Sequence, residues 1–200
     1  MSGDYYQQWR DKAQIDYFPY LALMWLSTNS WYRSHYSEIE SKKDRDFINA
    51  LHDDNTGRNK LYRQMDGLLG DKSKRGAAFL SHLESLFYAL NTAALKWEDK
   101  EGAQIISFHH CMQHNTTPTV YFSIVEEIPR PKTKSEAEDA RIRIDDRVVL
   151  VSASEKIFNG LLEIIYKVRC LLVHGQLEPT NENHDVVRQC YFVLQVMMDF

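Results

Sequence analysis

The chain has 200 residues, 44% of them apolar, 26% charged and 12% aromatic, which suits one domain with a sizeable core and excludes the disordered class. Its 24 basic and 28 acidic side chains leave a net charge of −4. That balance argues against sequence-blind binding of long nucleic acid, where a basic surplus is the rule.

Three cysteines, Cys111, Cys170 and Cys190, show no C-x2-C spacing, so neither a disulfide framework nor a zinc signature follows. The opening residues lack a basic segment followed by an apolar one, and the most apolar stretch, Tyr20 to Leu26, is too short to span a bilayer. A reducing, cytoplasmic setting and no membrane association are expected. Residues 58–75 hold six basic side chains against Asp66 and Asp71; a solvated helix face accounts for them.

In chain order, a first helix is predicted from near Tyr17 to Tyr36, with Pro19 in its first turn. Aromatic residues crowd this end of the chain, from Tyr5 and Trp9 to Trp31 and Tyr36, which suggests a helix packed on more than one side or lining a subunit contact. Asp44 is the expected N-cap of a short helix that turns Phe47, Ile48 and Leu51 inward. After a turn at 53–57, a helix over 58–69 buries Leu61, Met65 and Leu68, and Gly70 is placed to stop it.

Ser73 to about Lys96 reads as a long helix with a stripe of Leu80, Leu83, Phe87, Leu90 and Ala94. A turn at 98–102 follows, and Ala103–Phe108 and Thr119–Val125 read as the two arms of a β-hairpin insertion over 103–128. Residues 129–140 are polar and proline-led, as in a mobile loop. Residues 141–151 admit two readings: Arg141 to Ile144 alternates like a strand, whereas Leu150 continues the stripe of the next helix.

That next helix has the clearest pattern in the chain. Ile157, Leu161, Ile164, Ile165, Val168, Leu171 and Leu172 form an apolar stripe over four turns, and Gly175 stands where glycine favours ending a helix. A last helix over 182–198 presents Val186, Val187, Cys190, Tyr191, Leu194 and Met197/Met198.

Arg169 and His174 lie at the end of the striped helix, off the stripe. At 100° per residue, Arg169 lies about 120° from the stripe's centre and His174 about 100° the other way. They do not share a face of one regular helix. To act together they need the last turn to unwind, or a second copy to bring two such ends side by side. Cleaving RNA without metal needs a base for the 2′-hydroxyl proton, a donor for the leaving 5′-oxygen and a cation beside the phosphorane. Histidine suits the proton transfers and arginine grips phosphate with a planar fork. The same residue types also serve simply to close a helix, whose C-terminal end favours cations.

The segment Ile165-Tyr166-Lys167-Val168-Arg169-Cys170-Leu171-Leu172-Val173-His174-Gly175 resembles the signature of HEPN domains (higher eukaryotes and prokaryotes nucleotide-binding). Their motif is Arg, four to six residues, then His, on the helix before the last. Trp25 to Tyr32 is also similar to the first helix of some members. The resemblance implies a mainly α fold, a HEPN-like helical bundle carrying the small β-hairpin insertion, in one domain over 1–200. It implies a homodimeric, metal-independent RNase of toxin or phage-defence type that leaves a 2′,3′-cyclic phosphate, with Arg169 clamping the phosphate and His174 as acid/base. Single-stranded RNA is the implied substrate, an antitoxin or regulatory protein a further partner, and no cofactor is called for.

The match covers about eleven residues and the helix order; region 97–145 has no counterpart. RNase members carry a polar residue, often Asn, after the arginine, where this chain has Cys170. A second reading is therefore a non-catalytic HEPN-like module that binds a partner protein or a nucleotide.

Other motifs are weaker. His109-His110-Cys111-Met112-Gln113-His114 holds ligand-type side chains without a second cluster to complete a zinc site, so a polar loop is the better reading. Glycine-rich phosphate loops and Gly-x-Ser-x-Gly are missing from the sequence. The adjacent pairs Glu126-Glu127 and Asp145-Asp146 read as solvated, and His184 as a first-turn residue of the last helix.

Overall fold

Asn59, Ser73 and Thr180 each begin a helix by accepting a backbone N–H on the side chain, from Tyr62, from Arg75 and Gly76, and from Asn183 respectively. In this computed structural model the described residues are 15–41, 43–54, 56–99, 102–108, 111, 121–124, 140–143, 148–152 and 154–200. Among them, six helices dominate: α1 (Phe18–His35), α2 (Asp44–Asp53), α3 (Lys60–Gly70), α4 (Lys74–Ala93), α5 (Ser154–Val173) and α6 (Asn181–Met197). The protein is mainly α with a small β-hairpin. None of these helices is long and apolar enough to cross a membrane.

Pro19 falls in the first turn of α1, as expected. Asp44 does not cap α2: it is the first helical residue, the extended Lys43 precedes it, and its carboxylate is drawn away to cations of other helices. Gly70 is the last residue of α3, and the chain leaves through an extended Asp71 without a left-handed glycine. The stripe of α4 is rotated from the expected one. Phe79, Leu83, Leu86 and Leu90 are buried, while Leu80 and Phe87 pack partly covered at its edge.

α5 is buried on most of its circumference. Besides the stripe, of which Leu172 is only partly covered, Phe158, Leu162, Lys167 and Cys170 are also buried, because α1, α2, α3 and α6 all pack against it. It ends in a Schellman motif: Gln176 N–H reaches Leu171 O at 2.8 Å, Gly175 N–H reaches Leu172 O at 3.2 Å, and Gly175 has φ 67°. α6 then packs along α4 and α1. Tyr17 meets Tyr191 and Phe192, and Trp31 meets Phe200, so α1 and α6 run in the same direction.

The strands pair differently from expectation. β1 (Lys96–Asp99) and β2 (Gly102–Ile105) form the antiparallel hairpin, in register Lys96↔Ile105, so the first predicted arm pairs with the segment before it. The second predicted arm contains β3 (Tyr121–Ile124), which joins a separate three-stranded sheet with β4 (Ala140–Arg143) and β5 (Val148–Ser152), in the order β3-β5-β4. The strand reading of 141–144 therefore holds for Arg141–Arg143, and α5 does not begin early at Leu150. The predicted loop 129–140 lies outside the described residues except Ala140, which opens β4.

Candidate functional site at the end of the fifth helix

α5 brings Arg169 to the junction with α1 and α2. Its guanidinium lies 5.4 Å from the ring centroid of Trp25, and its Nη2 is 3.0 Å from Asp44 Oδ2. Asp44 Oδ1 accepts from Arg33 Nη2 at 2.7 Å and from Asn29 Nδ2 at 2.8 Å. Asn29 in turn accepts from Arg33 Nε at 2.9 Å and donates to the Tyr32 hydroxyl at 2.6 Å. Thus two arginines and an amide converge on one carboxylate.

Burial alone would raise the Asp44 pKa. The Arg33 hydrogen bond, the Arg169 charge and the Asn29 hydrogen bond outweigh it and hold the carboxyl below its usual range. The Tyr32 hydroxyl is pushed the other way, by burial first and by the Asp44 charge second.

Arg169 is not fully used. Its side chain keeps 17% exposure, and its buried Nε has no hydrogen-bond acceptor among the described residues. Among the described residues Nη1 meets the Cys170 sulfur, at 3.8 Å. Cys170 is itself buried, and the neighbouring Tyr166 has its pKa raised to about 12, by burial first and by Cys170 second. The polar position expected after the arginine is therefore occupied by a thiol inside the bundle.

His174 stands one residue past α5 and is exposed, beside Val173 at 53% exposure. Its backbone N–H still reaches Cys170 O at 3.0 Å, so the final turn is intact. Among the described residues, no hydrogen bond or ion pair joins His174 to Arg169. The two motif residues lie on different sides of one regular helix end, as the 100° spacing predicts.

A second charged cluster lies on the same helix. Glu163 receives a two-pronged contact from Arg45 at 2.7 and 3.0 Å and holds the buried Lys167 at 3.7 Å. Burial raises the Glu163 pKa, but the bond and charge of Arg45, then Lys167, bring it below the usual range. Lys167 also faces the Trp97 ring at 5.8 Å. Lys167 is buried and Glu163 largely covered, while the Arg45 side chain is 37% exposed, and the three groups satisfy one another.

Sequence reasoning missed Arg33, Asn29 and Asp44 as members of the site. The available signal was Asn29 and Arg33 four apart on α1, a spacing that places them on one face. The basic stretch 58–75 is dispersed as expected of a helix face: Arg58 pairs with Glu38, Arg75 with Asp199, and Lys60 faces Phe200. Of the 109–114 cluster only Cys111 is among the described residues, and it is buried, with burial lifting its thiol to about 11. Glu126-Glu127 and Asp145-Asp146 lie outside the described residues. His184 sits in the first turn of α6, where its Nε2 accepts the Tyr17 N–H at 3.1 Å.

Comparison with protein-family models, with curated proteins and with solved structures gives no match for this chain.

Proposed function

We propose that the protein is a HEPN-type endoribonuclease that cuts unpaired RNA without metal, as a homodimer. A histidine takes the 2′-hydroxyl proton, and the 2′-oxygen attacks the adjacent phosphorus. The bond to the 5′-oxygen breaks, that oxygen takes up a proton, and a 2′,3′-cyclic phosphate remains. Arg169 neutralises the phosphorane, where negative charge builds. DNA is inert for want of the 2′-hydroxyl.

One observation supports this reading most. The Arg169 side chain keeps 17% exposure, its Nε has no partner among the described residues, and an exposed His174 follows the same helix. Because the last turn of α5 is intact, joining the two residues calls for a second copy of the chain. Toxin or defence service, with an antitoxin or regulatory protein as partner, belongs to the same proposal.

A second reading has its own support. Asp44 already engages Arg169, and nothing among the described residues ties His174 to it. A module that binds a partner protein or a nucleotide, with the motif merely closing the helix, accommodates both facts.

The test is incubation in EDTA with single-stranded RNA and its DNA equivalent, beside Arg169→Ala and His174→Ala. Cleavage of RNA alone, with cyclic phosphate ends and lost in both folded variants, supports the enzyme. No cleavage by a folded dimer, or equal cleavage by the variants, overturns it.

A further inference from the structure

Arg33 and Arg169 come from helices far apart in sequence, yet they close on opposite oxygens of a single carboxylate, at 2.7 and 3.0 Å. Two guanidiniums fixed on a two-oxygen edge make a geometry that a phosphate also satisfies, since its non-bridging oxygens offer the same edge with more charge. The carboxylate belongs to the first residue of α2 and follows an extended Lys43. The cluster is reachable from solvent: the Arg33 side chain is 33% exposed and that of Asp44 16%.

The neighbours fit an anion site. Asn29 holds Arg33 through Nε and supplies an amide N–H to the same oxygen that Arg33 contacts. The Trp25 and Phe47 rings lie beside the two guanidiniums, at 5.4 and 4.7 Å, and limit how far each can swing. Arg169 Nε, buried and without an acceptor, is a donor that Asp44 leaves unused.

We propose that Arg33 and Arg169 together form a phosphate-binding site of the RNA, and that Asp44 is the internal anion occupying it in the free protein. Arg33 is thus a second phosphate-gripping residue, and Asp44 a built-in competitor that RNA must displace. The inference rests on the reading of Arg169 as a phosphate contact.

Binding is measured with a single-stranded 2′-O-methyl oligoribonucleotide, which has no free 2′-hydroxyl and cannot be cut by the proposed route. Asp44→Asn keeps the shape and removes the competing charge. It is expected to bind this probe about tenfold more tightly than the parent, and Arg33→Gln about tenfold more weakly. Far-ultraviolet circular dichroism checks the fold of each variant. Should Asp44→Asn fail to fold, Arg33→Lys carries the test: it keeps the charge but loses the fork, and weaker binding by several-fold is expected.

Unchanged or weaker binding by folded Asp44→Asn, or parent-like binding by Arg33→Gln and Arg33→Lys, overturns the inference. If Arg169→Gln alone weakens binding, the Arg33 and Asp44 assignment fails while the reading of Arg169 stands. If neither arginine matters, both fail. Tighter binding by Asp44→Asn in a protein that never cuts RNA keeps the anion site and removes the nuclease.

Discussion

Asp44 and Arg169 meet at 3.0 Å across the line where α2 packs on α5. The contact fixes the second helix to the central one and at the same time engages the arginine on which the proposed chemistry depends. Losing it should cost stability even where it helps binding. We expect Asp44→Asn to lower stability at neutral pH by about 1.5–3 kcal/mol, the usual range for hydrogen bonds to charged groups.

The pH dependence of that loss has a definite sign. Asp44 has a folded pKa below its unfolded value of about 3.9. Its contribution is therefore fully present above the unfolded value and disappears as pH falls through the folded one. The parent and Asp44→Asn should converge in acid, and urea unfolding from pH 7 down to pH 2 would show it.

Lys167 is buried at 4% exposure, and Glu163 is its carboxylate partner. Glu163→Ala leaves the ammonium uncompensated and also strips Arg45, so a loss of about 3 kcal/mol is expected. Lys167→Met leaves Glu163 with its two-pronged Arg45 contact and should stay within about 1 kcal/mol of the parent. Thermal unfolding of the two variants side by side reads the asymmetry, and equal losses would contradict it.

His52 is a partly buried imidazole whose covered Nε2 meets no hydrogen-bond partner among the described residues, and burial lowers its pKa, with Glu163 and Asp53 opposing and Arg45 reinforcing. The unfolded chain takes up a proton at about pH 6.5, before the folded one does. Stability from this residue is present above that pH and falls as pH drops toward the folded value. His52→Gln should flatten the slope of stability between pH 7 and pH 5, measured by denaturant midpoint.

Gly76 has no room for a side chain. A Cβ there would meet the Asp71 carbonyl oxygen at 2.0 Å. Gly76→Ala must move the backbone at the start of α4, at a cost of about 2 kcal/mol or more. Gly175 has open space but φ 67°, so Gly175→Ala should cost only about 1 kcal/mol. The order of the two melting temperatures checks both.

Helix positions were readable because burial imposes a period on the sequence: the α5 stripe and its Gly175 stop stand where the pattern puts them. The expected hairpin partner was not readable. β2 and β3 both look like strands, and local composition says nothing about whether β3 pairs with β2 or with β5. The tilt of the α4 stripe escaped for a related reason, since Leu80 and Phe87 are as apolar as the Phe79 and Leu86 that the packing selects. At the site, the motif residues were legible by spacing. Asp44 was not, because an acidic residue at a helix start reads as a cap until the cations opposite it are known.

The parallel pairing of α1 with α6 bears on how the chain is made. The rings of Tyr17 and Trp31 find their partners in residues 184–200, nearly the whole length of the chain away. Contacts of such long range form late and slowly. During synthesis α1 precedes α6, and the Tyr17 and Trp31 rings must wait until α6 has left the ribosome. That interval is when the nascent chain is most exposed to chaperones and to association with its neighbours.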